Sequence, residues 1–590
     1  MADRSLGWVQ NPSNTRTLQN VVSLLCPESK FTDTYLNFRI PLIRKLGKLH
    51  DEEIWADYIS LLESGKRIPY AYLKGQGSDT ESRIDALCSG IVQAAIDAQK
   101  EFSIVDLNGE LTDIKKPYTD DWTADGFIRW AIALGFIDYD AVSDTCGLTV
   151  DGKQFIDSHS EKSFKEALGK AYLKYPPACR ILELLSTGEH LTKFELGRRL
   201  GFTTEAGFTS FPQNIFVQAM VEYPTERKTI RSNSEGSSDK YARMICRWLR
   251  ELGWVKCSRK EVVERAGSTV YSYKLQGYTI TAKGLRAYRE SKGMSSHKRV
   301  SKIVYYEMLA TKCADKHFVR LRRANILQFI ETRQRTLEQI AQHLTSKGIE
   351  TDIPTIREDL AGLANIGLSV QFDDNDALLK DKIENLVIPS GSALPVKSEP
   401  LQIKEKVRLR INALNPKYLA LIDLAFNGSA NREFEIITID LFTNELDFNG
   451  RHLGGARKPD SIVHDSSAGL IIDNKAYSTG YSMPISQVDE MVRYIQENTE
   501  RTSLVNKNEW WNHFPETIIK FYFAFISSRF QGQTNSKLEG IMNRTGIKGA
   551  CIDCENLLYI AEAMKRGILS HDDFWQMFRN REIQNIEAVL

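Results

Sequence analysis

The chain has 590 residues, 42% hydrophobic and 26% charged, a composition typical of ordinary globular proteins that excludes a wholly disordered chain. Its 77 basic and 76 acidic residues leave a net charge of +1, which neither favours nor excludes nucleic acid as a partner, because a local basic patch decides that. No apolar run approaches the roughly 18 residues of a membrane span, and no signal peptide is recognisable, so we expect a cytoplasmic protein without a membrane partner.

Three amphipathic helical stretches end alike, in Leu-Gly or Ile-Gly followed by a large apolar residue that begins a strand-like segment. They are DGFIRWAIALGFIDY (125–139), DKYARMICRWLRELGWVKC (239–257) and TIREDLAGLANIGLSVQF (355–372). The glycines predict left-handed helix C-caps at Gly135, Gly253 and Gly367. A repeated helix, sharp exit and short hairpin indicates winged helix-turn-helix modules, although a generic α+β layer has the same pattern.

Helix pairs near these stretches support the first interpretation. Residues 178–185 and 193–202 are predicted to form a helix-turn-helix, as are residues 336–344 and 351–363. Such a module binds DNA by placing one helix in the major groove.

The composition changes at residues 387–400, where prolines and small polar residues predict a linker. Beyond it we predict helices and strands of an α/β domain with a central sheet flanked by helices. The predicted helices are 402–425, 431–444 and 485–500, and the predicted strands are 469–477 and 520–528.

The stretch from Arg457 to Tyr477 holds the residues best suited to chemistry. Asp473 and Lys475 end a predicted strand and point to one face of it, and Asp460 joins them if the adjoining strand lies alongside. Two carboxylates with open coordination positions suit Mg²⁺, and such a site can hydrolyse a phosphodiester. The alternative is an exposed turn at Asp460 and a surface Asp–Lys pair.

Longer strings give the motif a family context. They are GWVQNP (7–12), DGFIRWAIALGF (125–136), YPPACRILELL (175–185), HLTKFELG (190–197), GFTSFP (207–212), EGSSDKYARMI (235–245), RHLGGARKPD (451–460), GLIIDNKAYSTGYSMPISQVDEMVRY (469–494) and NEWW (508–511). In this order, along nearly the whole chain, they resemble the FokI-type type IIS restriction endonucleases, whose cleavage domain belongs to the PD-(D/E)XK nuclease class.

The resemblance implies a multidomain α+β and α/β fold, in which winged-helix-like DNA-recognition subdomains precede a PD-(D/E)XK nuclease domain with a central mixed sheet. The implied boundaries are recognition subdomains 1–160, 161–298 and 299–386, the linker 387–400 and the nuclease domain 401–590. The family's catalytic trio falls on Asp460, Asp473 and Lys475, with Asp460 and Asp473 as ligands of Mg²⁺. Glu435 matches a family glutamate near the metal, or is an exposed helix acid. His452 and His464 flank the motif and are interpreted as structural or solvent-facing.

The resemblance also implies an asymmetric GGATG-type site that is read in the major groove. Family positions that contact bases or phosphates fall on Gln10, Asn11, Arg83, Gln99, Trp122, Glu235, Lys240 and Arg243. Arg and Lys donate to guanine and Glu accepts from cytosine, whereas the alternative for any one of these residues is a solvated surface. Ser232 replaces a family Asn that reads adenine, so the readout of one A·T pair is changed or shifts to Asn233.

The predicted helix 485–500 has an apolar face of Ile485, Val488, Val492 and Ile495 and a polar face of Asp489, Arg493 and Gln496. The polar face is either simply solvated or, as in the family, pairs two nuclease domains together with the segment near 534–545. Asp489 and Arg493 match the pairing positions, whereas Gln496 replaces a family Glu.

The expected function is therefore Mg²⁺-dependent cleavage of both strands of double-stranded DNA at a fixed distance outside the site, leaving 5′-phosphate ends. We expect a transient homodimer of nuclease domains on DNA and, as in bacterial restriction-modification systems, a separate cognate methyltransferase. The alternatives are a winged-helix DNA-binding regulator without cleavage and a strand-nicking endonuclease.

Overall fold

The described part of the chain comprises most of its length. The structure, a computed structural model, describes residues 4–29, 32, 36–37, 41, 52–75, 90–99, 121–266, 269–294, 296–313, 315–331, 333–389, 396–455 and 457–590. None of the helices in these ranges has the length and apolarity needed to cross a membrane.

The first recognition subdomain consists of short helices around a three-stranded sheet. Its helices are α1 (Thr15–Ser23), α2 (Glu52–Glu63), α3 (Tyr70–Lys74), α4 (Ile91–Gln99), α5 (Asp121–Ala133) and α6 (Val150–Ile156). Its strands are β1 (Ile68–Pro69), β2 (Ile137–Asp140) and β3 (Thr145–Leu148), in the spatial order β1-β3-β2.

The second recognition subdomain repeats this plan with a longer hairpin. Its helices are α7 (Glu161–Lys174), α8 (Pro176–Leu185), α9 (Lys193–Gly197), α10 (Gln213–Glu222), α11 (Arg227–Asn233), α12 (Ser237–Glu251) and α13 (Ala282–Ser291). Its strands are β4 (Leu191–Thr192), β5 (Val255–Ala266) and β6 (Thr269–Ile280), in the order β4-β6-β5. The prediction of a short hairpin is wrong here. Each strand has 12 residues, because the inner face of the hairpin packs on α10.

The third recognition subdomain has the same strand order. Its helices are α14 (Lys316–Glu331), α15 (Leu337–Ser346) and α16 (Ile353–Asn365), and its strands are β7 (Lys302–Ile303), β8 (Arg335–Thr336), β9 (Val370–Phe372), β10 (Asp376–Leu379) and β11 (Ile383–Glu384). Its sheet has the order β8-β10-β9. In each of the three subdomains, therefore, a short strand pairs with the second strand of a hairpin. A helix, a turn and such a hairpin define winged-helix modules, which confirms the predicted fold class. Gly135, Gly253 and Gly367 end the preceding helices at positive φ, as predicted.

The C-terminal domain is an α/β domain. Its helices are α17 (Glu399–Arg410), α18 (Ala420–Ala425), α19 (Asn431–Asn444), α20 (Ile485–Glu500), α21 (Thr534–Thr545), α22 (Cys554–Lys565) and α23 (His571–Gln576). Its strands are β12 (Asn449–His452), β13 (Ser461–His464), β14 (Gly469–Lys475), β15 (Phe521–Ser527), β16 (Gly549–Asp553) and β17 (Arg581–Ile583).

These strands form one six-stranded mixed sheet in sequence order. β12, β13 and β14 pair antiparallel, and β14 to β17 pair parallel. Side chains alternate between the two faces, so that Leu470 and Ile472 pack beneath α18, α19 and α22, whereas Ile471 packs beneath α20. Helices therefore cover both faces of the sheet, and charged side chains of β14 can be accommodated only at its carboxyl-terminal end.

The predicted helix 402–425 is wrong as a single element. It ends at Arg410 and a new helix begins at Ala420, because the backbone N–H groups of Asn412, Ala413 and Leu414 donate to the buried carboxylate of Glu562 instead of continuing the helix.

Candidate active site and nucleic-acid interface

The end of β14 brings together the three residues predicted to be catalytic. Ser461 of β13 pairs antiparallel with Ile472 of β14, so Asp460, which directly precedes β13, lies next to Asp473. The backbone N–H of Asn474 donates to Asp460 Oδ2 at 2.6 Å, and Lys475 Nζ donates to Asp473 Oδ1 at 2.8 Å. Two carboxylates and one ammonium thus converge, and Asp460 does not form an exposed turn.

Burial gives these groups unusual acid–base properties. Burial and the charges of Asp473 and Glu435 raise the pKa of Asp460 well above its usual value, and burial raises the pKa of Asp473. Burial lowers the pKa of Lys475, but Asp473 and Asp460 outweigh it and leave that pKa above its usual value. Adjacent carboxylates in a buried site require a shared proton or a cation.

The donor set fits a hard divalent cation. No donor group in the described part of the chain forms a hydrogen bond with the buried Asp473 Oδ2, an arrangement that costs free energy unless the oxygen shares a proton with Asp460 or binds a cation. Carboxylate oxygens are the ligands that Mg²⁺ prefers, and it commonly binds one or two of them together with water and phosphate. Among the described residues, no group of three or more His, Cys, Asp and Glu side chains is arranged to hold a metal.

Glu435 lies next to the trio and is held by a histidine. His452 Nε2 and Glu435 Oε2 are 2.8 Å apart, and only 9% of the His452 side chain is exposed. His452 pairs across the ladder with Ser461, the neighbour of Asp460. The sequence analysis did not predict this role for His452. Its position one strand away from Asp460, in the segment just before the Asp460 motif, was the signal that could have indicated it. His464 instead contacts the backbone oxygen of Asp465.

Helix α20 passes from the active site to the predicted dimer face. Asp489 Oδ1 accepts from Arg544 Nη1 of α21 at 2.7 Å, and Arg493 Nη2 donates to Glu490 at 3.0 Å. Val488, Val492 and Ile495 are buried as predicted. The prediction that Ile485 belongs to the buried face is wrong, because its position in the first turn of the helix leaves it 75% exposed. Ile485, Asp489, Arg493 and Gln496 follow helical spacing, so the polar face has an apolar end.

The predicted DNA contacts of the first subdomain are partly described. Gln10 hydrogen-bonds Tyr241 of α12, and Asn11 is exposed beside it. Trp122, in the first turn of α5, is 65% exposed, which is unusual for so large an apolar side chain. Arg83 lies outside the described residues, and of Gln99 the structure describes only the backbone at the end of α4. The N-terminal segment thus adjoins α12.

The second subdomain places the other three predicted contacts together. Glu235 precedes α12, and Lys240 and Arg243 lie in its first two turns, where a recognition helix meets base edges. Arg243 Nε and Nη2 donate to the two oxygens of Glu235 at 2.9 and 3.2 Å. Lys193 also donates to Glu235, and the two cations outweigh burial and lower the pKa of Glu235.

Ser232 and Asn233, the two alternatives for one predicted base contact, face different surfaces. Ser232 lines the same cleft as Glu235 and Arg243, whereas Asn233 lines a small pocket against Arg432 and Glu433 of the nuclease domain. Glu235 lines both, so of the two residues only Ser232 shares a cleft with Arg243, and which of them reads a base stays a prediction.

The nuclease domain packs against the recognition subdomains. Arg451 of β12 pairs with Glu222 of α10, which also accepts a 2.7 Å hydrogen bond from Tyr271 of the long hairpin. Arg408 of α17 pairs with Glu358 of α16. Phe211, Phe216 and Met220 of the second subdomain belong to the same buried apolar cluster as α18 and α19.

Four protein-family models together match most of the chain. The FokI recognition-domain models match residues 4–158 (subdomain 1) and 165–291 (subdomain 2), the FokI D3 domain model matches 309–375, and the FokI cleavage-domain model matches 397–584.

Individual relatives agree. The chain is 38% identical to the type II restriction enzyme FokI of Planomicrobium okeanokoites, over 98% of this chain and 99% of the relative. It is 31% identical to the type II restriction enzyme StsI of Streptococcus sanguinis, over 75% of this chain and 77% of that one. The solved structure of FokI bound to DNA superposes with a TM-score of 0.88 at 37% identity, covering 99% of this chain and all of that one. The chain therefore belongs to the FokI family of type II restriction enzymes.

Proposed function

We propose that this protein is a type IIS restriction endonuclease, which binds a short asymmetric duplex site and hydrolyses both DNA strands at a fixed distance outside it. The observation that carries the proposal is the convergence of Asp460, Asp473 and Lys475 at the end of β14, in a chain that joins a winged-helix recognition half to a nuclease domain. A DNA-binding regulator has no use for such a buried, charged cluster.

The roles follow from the side-chain chemistry. Asp460 and Asp473 hold Mg²⁺, with Asp473 Oδ2 available as a ligand. When bound, the metal polarises the scissile phosphate and stabilises the charge that develops on it. Lys475, anchored on Asp473 at 2.8 Å, orients the attacking water or offsets the developing negative charge. His452 holds the carboxylate of Glu435 beside Asp460.

DNA recognition uses the surface around α12. Lys240 and Arg243 donate to guanine in the major groove, and the exposed Trp122 packs on a thymine methyl group. Gln10 and Asn11 extend the contact from the N-terminal segment, which is joined to α12 through Tyr241. A GGATG-type site is the expected sequence, with one A·T pair altered by Ser232.

Double-strand cleavage requires two active sites, because one site makes one incision. We infer that two nuclease domains pair transiently through α20 and α21, using Asp489 and Arg493 of each copy and the exposed Ile485. This face is small and polar, unlike the broad apolar faces of obligate dimers, so pairing occurs on DNA, where local concentration is high.

A plasmid cleavage assay in Mg²⁺ tests the proposal. Wild-type protein should convert a supercoiled plasmid that carries the site to linear DNA, and Asp473→Ala should bind the site without cutting it. Nicked circles as the final product would establish a nicking enzyme, and binding by the wild type without any cleavage would establish a regulator.

A further inference from the structure

A cleft of about 630 Å³ lies beside the N-terminus of α12, between α9, α11 and the β5–β6 hairpin. Its charged lining residues are cations with one exception. They are Lys193, Arg231, Arg243, Arg259, Lys274 and the anion Glu235. A carboxylate in a cleft that suits a polyanion repels phosphate, so its position needs a reason other than general attraction of DNA.

Glu235 connects a partly buried cation to a more accessible one. Lys193 Nζ and Arg243 Nε, at 2.9 Å, both donate to Oε1, and Arg243 Nη2 donates to Oε2 at 3.2 Å. The side chains of Lys193 and Glu235 are only 17% and 10% exposed, whereas Arg243 is 36% exposed. The carboxylate therefore holds the edge of the Arg243 guanidinium formed by Nε and Nη2. Nη1 has a weak contact with Met244 Sδ at 3.5 Å, so one hydrogen of Nη1 and one of Nη2 are left for a ligand in the cleft.

Lys193 is itself fixed. It is the first residue of α9, whose N-terminus has a capping box between Thr192 and Glu195. Lys260 of the hairpin donates to both oxygens of Glu195, at 2.8 and 2.7 Å. The Lys193 ammonium also lies 4.8 Å from the centre of the Phe194 ring. The backbone and the ammonium group of Lys193 are thus held in place by neighbouring groups of the subdomain.

We propose that Lys193 is a positioning residue for sequence recognition. It holds Glu235 so that Arg243 presents its free donors to the base pair that Arg243 reads, and it acts through Glu235 without touching the base. The ligand is a G·C pair in the major groove, because guanine O6 and N7 accept two donors of one guanidinium. The inference rests on the proposed function, in which α12 contacts base edges.

The consequence is a separation of specificity from affinity. A bidentate contact depends on the orientation of the planar guanidinium, so a loosened Glu235 weakens the choice between base pairs. Contacts to phosphate, which supply most of the non-specific affinity, are unchanged. Loss of Lys193 therefore lowers discrimination at one or two base pairs and leaves binding to random DNA nearly constant.

Binding of Lys193→Met and Lys193→Gln to short fluorescent duplexes, without divalent metal, tests this. The duplexes carry the site cut by the wild type, each single base-pair change in it, and a random sequence. We expect about tenfold lower discrimination at the base pair that Arg243→Ala also relaxes, and random-duplex affinity within about threefold of wild type. Lys193→Arg, which keeps the positive charge, should restore most of the discrimination.

A double-mutant cycle distinguishes positioning from a direct contact. Because Lys193 acts through Glu235, Lys193→Gln combined with Glu235→Gln should discriminate no worse than Glu235→Gln alone. Lys292→Gln is the matched control, since it removes another partly buried Lys–Glu pair of the same subdomain, the one with Glu183, without touching Glu235 or Glu195. It should lower the melting temperature about as much as Lys193→Gln and leave base preference unchanged.

Two outcomes overturn the inference. Equal loss of affinity on cognate and random duplexes, with a salt dependence reduced by about one charge, would make Lys193 a phosphate contact. Unchanged discrimination in a folded Lys193→Gln protein would leave it no part in recognition. If the wild type itself fails to discriminate any sequence, the proposed function fails, whereas the positioning role fails only if wild type and Lys193 variants discriminate equally.

Discussion

Lys475 Nζ donates a 2.8 Å hydrogen bond to Asp473 Oδ1, so an ammonium and a carboxylate two residues apart on β14 meet on one face of the sheet. The neighbouring strand adds Asp460, whose Oδ2 accepts from Asn474 N. This small cluster is the chemical centre of the proposed nuclease, and its position at the end of a buried strand makes each member individually testable.

Asp460→Ala, Asp473→Ala or Lys475→Ala should each reduce cleavage at least about 100-fold, because each removes a metal ligand or a group that stabilises the transition state. Site binding should stay near wild type, since all three residues are far in the chain from the predicted base contacts. Cleavage rates and gel-shift affinities measure the two effects. The exposed Asp572→Ala is the control and should cut normally, whereas wild-type cleavage by Asp473→Ala would refute the assignment.

Metal binding should stabilise the folded protein through the same carboxylates. Mg²⁺ at about 100 times its Kd should raise the free energy of unfolding by about 2.7 kcal/mol, because it binds the native site and not the unfolded chain. Thermal unfolding with and without a chelator reports this shift. The double variant Asp460→Asn, Asp473→Asn should show little shift, and a shift equal to that of wild type would place the metal elsewhere.

Lys240→Ala or Arg243→Ala should cost about 1–3 kcal/mol for each lost bidentate base contact and relax preference at particular positions of the site. Affinities for duplexes with single base-pair changes give the measurement. A loss of the same size on cognate and random duplexes would identify phosphate contacts, which position the protein without reading sequence.

Asp489→Arg should suppress double-strand cleavage, because it places like charges together across the proposed two-fold interface and beside Arg544 of its own chain. Mixing it with Arg493→Asp protein should restore linear product, since opposite charges then face each other in the mixed pair. The rate of linear product against enzyme concentration is the readout. An Asp489→Arg protein that linearises plasmid at the wild-type rate, with the same concentration dependence, would rule out this interface.

Glu562→Ala should destabilise the nuclease domain by about 3 kcal/mol or more. The buried carboxylate accepts from the backbone N–H groups of Asn412, Ala413 and Leu414, and its loss leaves these donors unpaired. Glu555→Ala, on the same helix, removes a partly exposed pair with Lys406 and should cost less than about 1 kcal/mol. Denaturant unfolding of both variants makes the comparison, and equal costs would contradict this account of the α17–α18 turn.

Local features of the fold were predictable from the sequence because their causes are local. Helices that end in Gly135, Gly253 and Gly367 were recognised from the need for a positive φ at a C-cap. Asp473 and Lys475 were paired from the two-residue period of a strand. The strands β14 and β15 and the helix α20 between them were predicted from their apolar patterns, whereas β16, β17 and the helices α21 to α23 were not.

Relationships between distant residues were not predictable in this way. Glu562 interrupts the predicted helix 402–425 from about 150 positions away, although Pro416 was a local signal that no helix passes through residue 415. Lys193 meets Glu235 across 42 positions, and Asp489 meets Arg544 across 55. Ile485 is exposed because only packing, and not periodicity, decides where the apolar face of a helix begins.

Run-off sequencing of the ends that the protein produces on plasmid DNA in Mg²⁺ shows whether it cuts as a type IIS endonuclease. We expect ends with 5′-phosphates on both strands, at one fixed distance to one side of a single short asymmetric sequence, and no such ends from Asp473→Ala protein. Breaks within the site, breaks scattered without a common neighbouring sequence, or ends that Asp473→Ala protein also makes would refute type IIS cleavage by this active site.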